Sequence, residues 1–274
     1  MTHSTSAHSP KTSHPSHCFL VPAYQNSPYL RDCLESLVCQ KIRSPILIAT
    51  STPFDGLDEL AKSYGAELFI HGPNIGMAED WNAGLAQVKT EWVTIAHQDD
   101  MYDPAYTLHI FAAIAKAENP NLVFSDYIEL IDQKTRSMTL LLLIKKCLLE
   151  FGFLGRDEIF SRLAKMNALR FGNPIPCPAV TFRPKSNTQH FAAGFHVNMD
   201  WDAWIRKVGE AGSFVWVRKR LMIHRIHRDS GTTEGIAAGH RAREDYDMLK
   251  RLWSTPFAWL ISKTYWIAYA SNRH

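Results

Sequence analysis

The chain has 274 residues, 46% hydrophobic and 21% charged, which is enough apolar material for one large core and excludes disorder as the default state. Its net charge of +3 is split: residues 1–136 carry 9 Lys and Arg against 16 Asp and Glu (−7), while residues 137–274 carry 21 against 11 (+10). Mild basicity with no recognition motif argues against a nucleic-acid partner, and no apolar run reaches the ~18 residues of a membrane span.

An acidic half suits a site that holds a divalent cation, and a basic half suits phosphates or an anionic membrane face. Residues 1–17 are rich in Ser, His, Thr and Pro and include His3, His8, His14 and His17. Without an apolar stretch they read as a disordered tail, neither signal peptide nor anchor. Five cysteines form no CxxC pair, and their odd number argues against a disulfide framework and for a reducing, cytoplasmic setting.

From Cys18 short apolar runs alternate with amphipathic stretches. Residues 18–21 predict a strand ending at Pro22, and Ser27-Pro28 predicts the cap and first turn of a helix whose apolar face is Leu30, Leu34 and Leu37. Strands follow at 46–49, 67–70, 92–96 and 122–124, and helices at 58–64, 76–88 and 104–117. Such strand–helix alternation implies an α/β fold with a mostly parallel sheet flanked by helices. Ligands then bind beyond the carboxyl ends of the strands, where Pro22-Ala23-Tyr24 and His97-Gln98-Asp99-Asp100 fall.

The second half is less regular. Residues 140–149 form an apolar segment broken by Lys145-Lys146. Residues 172–182 contain three prolines and read as extended, entering a strand at 179–182. Residues 200–211 have helical spacing, 214–217 and 221–226 read as two strand pieces, and 239–253 as a charged helix. Residues 256–270 are apolar and aromatic, with Trp259, Tyr265, Trp266 and Tyr269. Apolar segments flanked by Lys or Arg suit either a buried helix or a membrane interface; 140–149 leans to the first and 256–270 to the second.

Three stretches carry chemistry. Asp99 and Asp100 sit at the mouth of a buried strand, where two carboxylates repel and lose hydration. A bound Mg²⁺ or Mn²⁺ relieves both costs and can bridge a diphosphate. Asp99 is the stronger ligand, while for Asp100 capping the next helix is an equal alternative. Asp200-Trp201-Asp202 opens a helix whose dipole keeps an acid ionised and able to take a proton. Asp200 and Asp202 lie about 200° apart around that helix, so one is a base and the other a cap or ion-pair partner. In His224-Arg225-Ile226-His227-Arg228, strand alternation places His224 on one side and Arg225 and His227 on the other. Arg225 or Arg228 suits phosphate, and His227 suits the metal or the diphosphate.

In order, these stretches resemble glycosyltransferase family 2. Phe19-Leu-Val-Pro-Ala-Tyr24 followed by Tyr29-Leu-Arg-Asp-Cys-Leu-Glu-Ser-Leu37 is similar to the family's first strand and helix, which assigns Pro22, Ala23 and Tyr24 to the nucleoside pocket. Asn74-Ile-Gly-Met-Ala-Glu-Asp-Trp-Asn-Ala-Gly-Leu85 is similar to its Asn-x-Gly helix, placing Asp80 and Asn82 near the nucleotide. His97-Gln98-Asp99-Asp100 stands where the family has its Asp-x-Asp-Asp metal motif, with Gln98 toward the nucleotide. Asp200-Trp-Asp-Ala-Trp-Ile-Arg206 matches the stretch whose first Asp, here Asp200, is the general base, with Trp201 on the acceptor side. His224-Arg-Ile-His227 is similar to the family's Tyr-Arg-x-His segment, which puts His224, Arg225 and Arg228 on the acceptor or phosphate side.

Three departures stand out. His97 replaces the first acid, which leaves metal binding to Asp99, the diphosphate, and Asp100 or His227. Thr50-Ser51-Thr52-Pro53 replaces the acidic turn that contacts the base, leaving Thr50 at that place. Met199 replaces the Glu before the base. The set His97-Gln-Asp-Asp100, Thr50-Ser-Thr-Pro53 and Asp80-Trp-Asn82 resembles a bacterial subgroup with a His-Gln-Asp-Asp motif.

The resemblance implies a GT-A (Rossmann-like) fold. It further implies a nucleotide-sugar-binding subdomain over 18–135, an acceptor-binding subdomain with the base over 136–238, and a C-terminal helical segment over 239–274 at the membrane surface. The expected activity is inverting transfer from a nucleotide-diphosphate sugar to a glycan or lipid-linked acceptor, in cell-surface polysaccharide synthesis on the inner face of the cell membrane. The alternatives are a non-catalytic nucleotide- or sugar-binding module and a nucleotidyltransferase, though GxxxxGK[ST] is absent.

Overall fold

The central strands are runs of Val, Ile, Leu and Phe, a composition stable only when both faces of a sheet are covered. In the computed structural model, residues 14–185, 188–227 and 239–271 are described, the last seven by backbone alone. β1 (His17–Pro22), β2 (Ile46–Thr50), β3 (Glu67–Ile70) and β4 (Trp92–Ile95) lie parallel in the order β3-β2-β1-β4. The same sheet continues through β9 (Val180–Phe182), β6 (Pro120–Ile131), β10 (Ser213–Ile226) and β5 (Met101–Tyr102). β7 (Lys134–Arg136) pairs with β6, and β8 (Glu158–Ile159) with β10. The long ladders are parallel and the antiparallel pairings are short.

Helices cover both faces. On one, α1 (Leu30–Val38), α2 (Leu57–Ser63) and α4 (Tyr106–Lys116) bury Leu30, Leu34, Leu60, Ile110 and their neighbours against the sheet. On the other lie α3 (Met77–Leu85), α5 (Leu140–Phe153), α6 (Arg162–Leu169), α7 (Met199–Val208) and α8 (His240–Leu252), around Trp81, Phe153, Trp201, Trp204 and Leu249. α9 (Thr255–Ser271) packs on α8. α3 approaches the strands closely because position 84 is glycine: a Cβ there would stand 2.8 Å from Leu20 Cδ1 and 2.9 Å from Ala49 Cβ.

Several sequence expectations need correction. His17 is not tail: it begins β1, is buried, and hydrogen-bonds Ser44 Oγ and Thr94 Oγ1, each at 2.9 Å. Ser27-Pro28 forms a turn ahead of α1, with Ser27 Oγ accepting from Tyr29 N–H, and the helix starts at Leu30. The strand expected at 122–124 runs for 12 residues as β6, because its polar positions find partners: Trp216 Nε1 donates to Asp126 at 2.7 Å. The two strand pieces at 214–217 and 221–226 are one strand, β10, whose register against β6 shifts around Val217–Met222. The basic Arg218-Lys219-Arg220 at that irregularity breaks the apolar pattern, which hides the continuity. α6 and the short strands β5, β7 and β8 were not anticipated. All five cysteines are unpaired, and among the described residues no helix is long and apolar enough to cross a membrane.

Candidate active site

β4 leads through Ala96 into the turn His97-Gln98-Asp99-Asp100, and the chain re-enters the sheet as β5, antiparallel to β10. That pairing brings the end of β10 against the acid turn. Asp100 is fully buried; its Oδ1 accepts from Arg225 N–H at 2.9 Å and lies 3.0 Å from His224 Nδ1. Burial works against a charged His224, but the Asp100 carboxylate and its hydrogen bond outweigh it and raise the imidazole pKa. Arg225 Nε donates to the Asp99 carbonyl at 3.0 Å, Nη2 reaches Asp32 at 2.8 Å, and the guanidinium lies over the Tyr29 ring. Asp99 Oδ2 faces His227 Nε2 at 2.9 Å.

The sequence expectation for this strand end is therefore revised. His224 and Arg225 clamp the acid turn, and Arg225, nearly buried, spends its nitrogens on the protein instead of a phosphate. His227 sits beside Asp99. Arg228 lies outside the described residues.

His97 is the residue sequence reasoning undervalued. One ligand atom each from His97, Asp99 and Asp100 lie within 4.8 Å of one another. Burial pulls the His97 pKa down to about 4, so the ring is neutral near pH 7, the form that ligates metal. Its Nε2 is buried without a hydrogen-bond partner, and the ring rests against Trp81. A neutral imidazole, whose Nδ1 stands 3.9 Å from Asp100 Oδ2, and the carboxylate of Asp99 fit a divalent cation. Asp100, its oxygens already engaged, adds charge more than a free ligand.

The nucleotide-side residues divide. Gln98 ties the turn to the end of β1, its Oε1 accepting from Tyr24 N–H at 3.0 Å and its Nε2 donating to Tyr24 O. Ala23 N–H continues the ladder to Ala49 O beyond Pro22, and the half-exposed Tyr24 ring is left at the rim. Thr50 and Asn82 do not face an open pocket. Thr50 is buried with its hydroxyl accepting from Thr52 N–H, and Asn82 spends its amide on the 190–191 backbone, accepting from His190 and Phe191 N–H and donating to Phe191 O. Asp80 Oδ2 accepts from Ser51 Oγ, while its Oδ1 is buried without a hydrogen bond, 4.0 Å from His71 Nδ1.

Asp200 lies in the first turn of α7, taking Asn173 Nδ2 at 2.8 Å and Trp201 N–H at 2.7 Å. Burial raises its pKa above the ordinary carboxylate range. Cys177 holds a buried thiol whose pKa is raised. Burial raises it most, then the charges of Asp200 and Asp100 together. Asp202 is the ion-pair partner, held by Arg206 Nε at 2.9 Å and Arg251 Nη1 at 2.8 Å. Trp201, expected toward the acceptor, is a core residue whose indole donates to Leu169 O. No local signal marked Glu244, whose carboxylate on α8 accepts from His196, Val197 and Asn198 N–H and so fixes the start of α7.

Beside this centre, Phe124, Tyr127, Leu142, Lys145, Lys146 and Arg220 help line a cavity of about 170 Å³ that also meets Pro174, next to Asn173. It joins apolar walls to three cations, with Asp126 on the same lining.

Comparisons with known proteins bear on the family and the fold. An uncharacterised glycosyltransferase of Rickettsia typhi is 22% identical over 244 residues, covering 86% of this chain and 69% of its own length. Among solved structures, S. aureus TarS in complex with UDP-GlcNAc superposes with a TM-score of 0.60 at 12% identity, over 94% of this chain and 73% of that one. The Pyrobaculum calidifontis mannosyltransferase PcManGT with GDP-Man and Mn²⁺ gives 0.59 at 13%, over 96% and 77%. At such identities the likeness establishes the fold, which is of the GT-A type. A model described as glycosyl transferase family 2 matches residues 18–187, more than half of the chain, and the chain therefore belongs to glycosyltransferase family 2.

Proposed function

We propose that the protein transfers a sugar, with inversion, from a nucleotide-diphosphate sugar to an acceptor hydroxyl. The observation that carries this reading is an acid turn after β4 locked in place by the end of β10, with a second acid, Asp200, in the first turn of α7, in a chain that belongs to glycosyltransferase family 2. The nucleoside lies against Pro22, Ala23 and Tyr24, with Asp80 and Gln98 at its edge. Asp99 and His97, supported by the charge of Asp100 and by His227, would hold Mg²⁺ or Mn²⁺, which when bound neutralises the diphosphate and stabilises the charge of the leaving group. A neighbour of this fold, PcManGT, is in complex with GDP-Man and Mn²⁺.

Asp200 accepts the proton of the acceptor hydroxyl. The oxygen forms its bond to the anomeric carbon as the bond to the diphosphate breaks on the opposite face, which inverts the configuration. A raised pKa suits this base, because the carboxylate binds a proton more strongly than an exposed Asp does. Asn173 and Trp201 N–H orient it.

The cavity with Lys145, Lys146 and Arg220 supports a phosphate-bearing, lipid-linked acceptor. Exposed Phe257, Trp259 and Leu260 on α9 support contact with an anionic membrane. Both fit cell-surface polysaccharide synthesis at the cytoplasmic face of a bacterial membrane. The rival readings, a nucleotidyltransferase or a binding module without chemistry, leave the placement of Asp200 unexplained.

A thermal-stability screen against UDP, GDP and their sugars, with and without Mn²⁺, tests the donor side. A ligand at 100 times its dissociation constant adds about 2.7 kcal/mol. A metal-dependent shift followed by release of the nucleoside diphosphate on addition of acceptor supports the reading. Binding without turnover on any hydroxyl acceptor supports the binding module.

A further inference from the structure

On the side of the molecule where α8 begins, two imidazoles meet. The His196 and His240 rings stack with centroids 4.3 Å apart and an interplanar angle of 28°. Glu244, one turn along α8 from His240, stands beside them, and one ligand atom from each of the three residues lies within 4.8 Å of the others. Neither ring hydrogen-bonds any described residue.

Glu244 adds the negative ligand. Its Oε2 accepts from Val197 and Asn198 N–H and its Oε1 only from His196 N–H, which leaves a lone pair on Oε1. The cluster opens on a cavity of about 620 Å³ whose other charges are largely matched: Lys250 pairs with Asp247 and Arg251 with Asp202. Arg243, on the same wall, suits an anion or water that completes a coordination sphere.

We propose that His196, His240 and Glu244 form a binding site for a borderline transition-metal ion of the Zn²⁺ class, distinct from the Asp99 turn. Two imidazole nitrogens and one carboxylate oxygen with open positions suit Zn²⁺, Co²⁺ or Ni²⁺, whereas an oxygen-rich site with a diphosphate suits Mg²⁺ or Mn²⁺. The ion would tie the first turn of α8 to residues 196–198, the backbone that leads into α7 and Asp200. Occupancy would therefore stiffen the corner from which Asp200 projects. The site does not depend on the activity proposed above.

The test uses the full chain, stripped with a chelator and held in excess Mg²⁺ to occupy the Asp99 turn. Zn²⁺ affinity is measured by competition with a chromophoric chelator, and Co²⁺ binding by its visible absorption. One saturable site is expected, weakened at least about tenfold in both His196→Ala and His240→Ala. It should persist in Asp99→Asn and in a His3→Ala, His8→Ala, His14→Ala triple variant. His240→Cys, which keeps a zinc ligand, should retain Zn²⁺ and add thiolate-to-Co²⁺ charge-transfer absorption, which separates ligand loss from misfolding. Absence of a saturable site, affinity unchanged in both alanine variants, or loss in the Asp99 or amino-terminal variants instead would each overturn it.

Discussion

His224 and Asp100, 124 residues apart in sequence, meet at 3.0 Å between Nδ1 and Oδ1 and lock the end of β10 onto the acid turn after β4. The contact explains how a fully buried carboxylate stays in place. It receives a hydrogen bond from an imidazole whose charge it favours and another from the Arg225 backbone. Asp99 is thereby presented to the open side, with His227 at its flank.

His97 should behave as a ligand in spite of replacing an acid. His97→Ala is expected to weaken Mn²⁺ activation at least about tenfold, while His97→Asp retains it. Equal Mn²⁺ dependence in wild type and His97→Ala would remove His97 from the site.

Arg225 acts through the turn it grips. Arg225→Met removes the contacts to Asp99 O and Asp32 and should cost about 1–3 kcal/mol in urea unfolding. The same variant should raise the Mn²⁺ concentration for half-maximal activity. Arg225→Lys, which cannot hold both partners in a planar fork, should recover only part. A variant as stable as wild type and equally responsive to Mn²⁺ would contradict the clamp.

His17 predicts the acid limb of stability. Burial pulls its pKa down to about 3 from an unfolded value near 6.5, so the folded state holds it neutral. The stability this contributes is complete above pH 6.5 and is lost as pH falls from 6.5 toward 3, by up to roughly 1.4 kcal/mol per pH unit. His17→Gln should be less stable at neutral pH, for want of the ring's contacts to Ser44 and Thr94, but should lose less on acidification. Parallel stability–pH curves for the two proteins would refute the assignment.

Much of the first half was legible because its chemistry is local. The strands around Phe19, Ile48 and Val93 are unbroken apolar runs, α1 repeats its leucines at helical spacing, and Asp99 follows a buried strand directly. The second half hid what long-range partners decide. β10 reads as two pieces because Arg218-Lys219-Arg220 interrupts it, and only the ladder with β6 restores it. Arg225 reads as a phosphate ligand because nothing nearby in sequence shows that Asp32 and the Asp99 carbonyl already hold it. Trp201 reads as an acceptor contact because the Leu169 carbonyl that buries it lies 32 residues away. Asp200 and Asp202 could be separated in part by helix geometry and by Arg206 four residues after Asp202, but the second ion-pair partner, Arg251 from α8, was out of reach of local sequence.

That division of labour leads to the most direct test, a comparison of Asp200→Asn with Asp202→Asn in a coupled assay of nucleoside-diphosphate release with donor, Mn²⁺ and acceptor. Asp200→Asn is expected to bind donor as wild type does, to unfold with a similar midpoint and to lose turnover by two or more orders of magnitude, about 10²–10⁴-fold. Asp202→Asn, which breaks the pairs with Arg206 and Arg251, should lower the melting temperature while keeping kcat within a few-fold. Full turnover in Asp200→Asn with an intact fold would contradict the assignment of the base and, with it, the proposed mechanism.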